Sequence, residues 1–65
     1  MFITVIYKTS EGIEITLAEG DGFLPIPNVG DQFSYKDEPL TVKARSFEYY
    51  DDDNGELAVT VTLTV

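Results

Sequence analysis

Near the C-terminal end, Asp51, Asp52, Asp53, Asn54, Gly55 and Glu56 gather the oxygen ligands that a hard cation such as calcium requires. Their spacing works against that chemistry. With Gly55 in the glycine place of an EF-type loop, the first ligand position falls on Tyr50 and the twelfth on Val61, and neither side chain binds calcium. The cluster reads as a solvated hairpin loop in which Gly55 supplies the positive φ of the turn, and no metal or other cofactor is implied. A second group, Lys43, Arg45, Phe47 and Tyr49, falls on one parity of a β-rich run. Cations interleaved with aromatic rings on one strand face can stack on bases or nucleotides, which makes these four residues the candidate site for a small anionic ligand. The competing reading places Phe47 and Tyr49 in the core and pairs Arg45 with a carboxylate such as Glu48 or Asp31.

Other chemistry is poorly provided for. The chain has no histidine and no cysteine, and its serines are only Ser10, Ser34 and Ser46, so a positioned base, an activated nucleophile and the usual zinc sites are all missing. Paired carboxylates could act as acid and base, but most acidic residues fall in turns or on outward strand positions, and the chain is expected not to be an enzyme. Twelve Asp and Glu against four Lys and Arg give a net charge of −8, which repels nucleic acid and anionic membrane surfaces and permits a basic protein partner. Asp51, Asp52 and Asp53, with Glu48 and Glu56, would then form the contact region.

Sixty-five residues form one small domain, 1–65, whose folding buries only ~60% of the surface its unfolded chain exposes. With disulfides and zinc excluded, packing and self-association are the remaining sources of stability. The hydrophobic share of 43% is that of a folded chain. The opening run Met1 to Tyr7 has neither preceding basic residues nor a small-residue cleavage site, and it is too short to span a bilayer, so it reads as a strand of a cytoplasmic protein.

The elements that would position these residues are all strands. Phe2–Lys8 is apolar on both faces and should be central; Ile13, Ile15 and Leu17 alternate with polar residues and should pair with it across Thr9–Gly12. Residues 19–31 hold three glycines and two prolines and should form a long loop. Within it Leu24 and Ile26 either cap an open end of the core or join Phe23 in an exposed apolar patch that meets a partner. A short strand follows at Gln32–Lys36, then a tight connection at Asp37–Pro39. Leu40–Tyr50 reads as one long strand whose inward face changes parity from Leu40, Val42 and Ala44 to Phe47 and Tyr49, predicting a bend at Arg45–Ser46. Glu56–Val65 alternates strictly, with Leu57, Val59, Val61, Leu63 and Val65 inward. Five strands with one bent give an all-β fold without substantial helix, a partly open SH3-like barrel or β-roll, with an OB-type barrel as the alternative.

The residues Leu24-Pro25, Val29-Gly30-Asp31, Leu40, Val42, Arg45, Phe47, Tyr49, Val59, Val61 and Leu63 carry a pattern that resembles one in short uncharacterised β-barrel proteins of bacteria and their phages. That resemblance implies a small SH3-like barrel with Gly30-Asp31 as a structural turn, and it brings no activity. The expected role is a non-enzymatic acidic interaction module, such as a bacterial or phage inhibitor or adaptor. Binding of a small anion by Lys43 and Arg45, or service as a structural subunit of a phage assembly, are the alternatives. A homodimer is expected, from the small core, the two-faced apolar first strand and the premise that the Val/Thr-rich last strand would otherwise expose a flat edge.

Overall fold

The computed structural model describes all 65 residues, and it contains strands and turns without helix. Six strands run in the order β1 (Phe2–Lys8), β2 (Glu14–Asp21), β3 (Gln32–Tyr35), β4 (Glu38–Thr41), β5 (Ala44–Asp51) and β6 (Leu57–Thr64). They form a four-stranded sheet of order β2-β1-β6-β5 and a separate two-stranded sheet β3-β4. There are thus six strands rather than five, and the sheets do not close into a barrel.

The central pair is parallel, with Phe2 opposite Ala58 and Lys8 opposite Thr64, so the two ends of the chain lie side by side in the middle of the sheet. This places β6 in the interior. The edges are β2 and β5, and the premise that β6 exposes an edge is overturned. A parallel pair needs a crossover, and here residues 22–43, including β3 and β4, supply it by passing over one face of the sheet.

That face holds the core. Ile3, Val5 and Tyr7 of β1 and Val59, Val61 and Leu63 of β6 are buried there with Val42. Leu24 and Ile26 from the crossover, Phe33 and Tyr35 from β3, and Leu40 from β4 pack over them. Tyr7 meets Phe33 and Tyr35 edge to face, at ring-centroid distances of 5.9 and 5.7 Å, which is the favourable arrangement of two ring quadrupoles. The central-strand expectation for Phe2–Lys8 holds, and so does its hairpin with β2, although the register slips between Val5 and Ile6 and leaves Leu17 unpaired. Ile13 stands outside β2 and is half exposed.

Two hairpins are closed in the same way. Thr9 N–H donates to Ile13 O while Gly12 N–H donates to Thr9 O, and Asp52 N–H donates to Glu56 O while Gly55 N–H donates to Asp52 O. In both, the glycine has positive φ, +86° at Gly12 and +76° at Gly55, the signature of a three-residue loop ending in a glycine bulge. Gly55 was expected to take this role. The predicted turn at Asn28–Asp31 also forms, with Asp31 N–H donating to Asn28 O and Gly30 at φ +92°.

The Leu40–Tyr50 strand is two strands. The chain breaks at Val42-Lys43, three residues before the expected bend at Arg45-Ser46, because Val42 is held by the crossover turn: its N–H donates to Asp31 O and its carbonyl accepts from Gly30 N–H. The tight connection likewise lies earlier, at Lys36-Asp37, and Glu38 and Pro39 belong to β4. Lys36 and Asp37 both have positive φ, 49° and 66°. Left-handed backbone costs a residue with a Cβ roughly 1 kcal/mol. Replacing the pair by Asn-Gly, whose conformational preference matches this two-residue turn, should raise stability by about 1 kcal/mol. Urea titration of the double variant checks this as a higher midpoint at unchanged slope.

Candidate functional site

Antiparallel partners share a face, so the β5–β6 register assigns Arg45, Phe47, Tyr49 and Asp51 to the core side, opposite Leu63, Val61, Val59 and Leu57. The covering layer stops short of them. Arg45 Nη1 donates to Pro27 O at 3.2 Å and to Asn28 Oδ1 at 2.7 Å, and its guanidinium lies 5.2 Å from the centroid of the Phe47 ring. Beyond Arg45 no other element packs on β5 except β6. Phe47 is therefore 45% exposed and Tyr49 60%, although Val61 and Val59 beside them are buried. Leu57, expected inside, is 51% exposed at the end of the same strip.

The four residues predicted to form a cation and aromatic stripe are thus only partly brought together. Arg45, Phe47 and Tyr49 form a continuous strip. Lys43 lies ahead of β5, where its N–H donates to Thr64 O out of step with the Ala44–Thr64 pair, and so stands outside the strip's alternation. Phe47 and Tyr49 are not core, and Arg45 is bound to a carbonyl and an amide oxygen rather than to Glu48 or Asp31. Arg45 ties the edge strand to the crossover.

The apolar loop divides. Leu24 and Ile26 pack on the core, as in the capping reading, while Phe23 is 92% exposed. The acidic connection divides as well. Asp52 Oδ1 accepts the N–H groups of Asn54 and Glu56, each at 2.9 Å, so this carboxylate is committed to shaping the turn. Asp51 and Asp53 are exposed. No group of three carboxylates is placed to hold one metal ion.

On the opposite side of β5 Glu48 is exposed and stands between Phe47 and Tyr49 in the chain. Alternation along the last strand placed Leu57 inside; the register sets it opposite Asp51, at the end of the aromatic strip.

A shallow groove of about 360 Å³ opens between the first hairpin and β4, lined by Tyr7, Ser10, Ile13, Glu38 and Leu40 among others. Burial, then the nearby Glu38 charge, then Tyr35 raise the Tyr7 phenol above its ordinary value of 10.0. A raised folded-state value means the neutral phenol stabilises the fold below pH 10.0, and that contribution is lost as pH rises through the folded value. Tyr7→Phe should therefore lose less stability than the wild type between neutral and strongly alkaline pH, as read from urea midpoints.

No protein-family model matches the chain, and neither a curated protein nor a solved structure does. No helix is long and apolar enough to cross a membrane.

Proposed function

We propose that the chain is a non-enzymatic protein-binding module that meets its partner through the uncovered strip on β5. The observation that carries this reading is the exposure of Phe47 and Tyr49 on the side of the sheet whose neighbouring residues form the core. Aromatic side chains with a rigid body and, for Tyr49, a polar tip are the anchors that protein interfaces favour. Exposed Asp51 and Asp53 beside the strip and the net charge of −8 give the partner its chemistry, apolar with a basic rim. Binding of a small anion ranks second, because Arg45 is occupied with Pro27 and Asn28 and Lys43 lies outside the strip.

Affinity capture with the wild type and with a Phe47→Ser/Tyr49→Ser variant tests the reading, after circular dichroism has shown both to be folded. The expected result is a stoichiometric partner that the variant loses and that weakens without vanishing in high salt. Retention of the same partner by the variant would remove the strip from the function.

A further inference from the structure

β5 is an edge strand with nothing against its outer side, and its pairing with β6 is regular for all eight residues, from Ala44 opposite Thr64 to Asp51 opposite Leu57. The other edge, β2, is blunted by the register slip between Val5 and Ile6, a device that β5 lacks. The two edges are therefore unequal. β5 keeps the unbroken, aromatic-bearing register that pairs readily with another chain.

The closing bond of the hairpin decides which backbone groups are free. Asp52 N–H donates to Glu56 O, and hydrogen-bonded pairs in an antiparallel ladder recur at every second residue. Tyr50, Glu48 and Ser46 thus direct their N–H and C=O groups to β6. Arg45, Phe47, Tyr49 and Asp51 direct theirs outward, away from the sheet. The residues whose side chains form the exposed strip are also those whose backbone is available.

We propose that β5 takes an extended segment of a partner chain as a fifth strand of the main sheet, and that this segment alternates apolar residues with Lys or Arg. The proposal rests on the protein-binding reading and specifies its mode of recognition. In an added strand, residues opposite Phe47 and Tyr49 share their face and meet aromatic surface, while those opposite Glu48 meet a carboxylate on the other face. Asp51 and Asp53 extend the negative field at the hairpin end. A second copy of this chain fits the edge less well, because it brings another net −8 and because self-pairing about the middle of β5 sets Glu48 close to Glu48.

The test titrates the wild-type protein with a blocked peptide of alternating lysine and valine matched in length to β5, followed by calorimetry or fluorescence. Two further peptides carry N-methyl groups on the valines only or on the lysines only. Antiparallel addition to the outward groups uses the backbone of the valines, so valine methylation should weaken binding by about tenfold or more while lysine methylation changes it little. The reverse preference would indicate parallel addition and would support the added strand equally. Tyr49→Pro, which removes an outward N–H, should weaken binding more than Tyr49→Ala does. Equal binding of all three peptides, abolished by salt, would overturn strand addition while leaving the protein-binding reading intact. Absence of peptide binding would also overturn it. Sedimentation of the chain alone supplies the last arm: a dimer dispersed by Tyr49→Pro would show that a second copy occupies the edge, overturning the basic partner.

Discussion

Leu63→Ala should leave the chain largely unfolded or close to it at room temperature. Leu63 is fully buried on the core face of β6, between Tyr7 of β1 and Arg45 of β5 in register. Truncation of a buried leucine costs roughly 2–5 kcal/mol, from lost transfer energy together with a cavity that close-packed neighbours only partly refill. A domain of 65 residues has a total stability of roughly 3–10 kcal/mol at the usual 0.05–0.15 kcal/mol per residue. A cost of that size takes up to about half of the range and all of its lowest part. Thr64→Ala, at the exposed neighbouring position, should stay within about 0.5 kcal/mol of wild type. Thermal melts followed by circular dichroism separate the two; if Leu63→Ala melted like Thr64→Ala, β6 would not hold the core.

The second large effect is a contrast between adjacent residues. Tyr50→Pro should destabilise the fold by roughly 2–4 kcal/mol, whereas Tyr49→Pro should cost about 1 kcal/mol or less. Both tyrosines belong to β5 and both are substantially exposed, so loss of the ring is a comparable term in each. They differ in the backbone. The N–H of Tyr50 is directed to Ala58 of β6, and proline there leaves a buried carbonyl without its donor. The N–H of Tyr49 points away from the sheet, where proline is tolerated on an edge. Urea unfolding of the two variants is the measurement, and equal destabilisation would mean that the alternation inferred from the Asp52–Glu56 bond is wrong.

Much of this architecture was legible in the residues. Alternation in Glu56–Val65 placed Val59, Val61 and Leu63 on a buried face, and two-sided apolarity in Phe2–Lys8 marked a central strand. The glycines at 30 and 55 occupied the turns assigned to them, since a left-handed backbone selects against a Cβ. The long strand breaks three residues ahead of the bend that its parity predicts. Parity reports that a face has changed but not where the chain turned, and the turn was decided by Asp31 and Gly30 clamping Val42 from another part of the chain.

Local pattern also misjudged exposure. Leu57 and Val61 have the same parity on one strand, yet one is half exposed and the other fully buried, because the covering layer ends between them. Nothing in the alternation of a strand states how far the opposite layer extends. The same ignorance left Phe47 and Tyr49 between two readings, as core and as ligand stripe, and neither describes a strip that lies on the core side but beyond its cover.

The residues alone dictate an all-β chain, the places where it turns, which alternating faces are apolar, and a strongly acidic molecule. Propensity, turn chemistry and charge are properties of neighbours along the chain. The tertiary structure alone decided that β1 and β6 run parallel, that β5 is the open edge, and that the aromatics of β5 remain uncovered. Those facts depend on which distant segments pair and where the crossover lies, and long-range pairing is set by the packing of the whole core rather than by any single stretch.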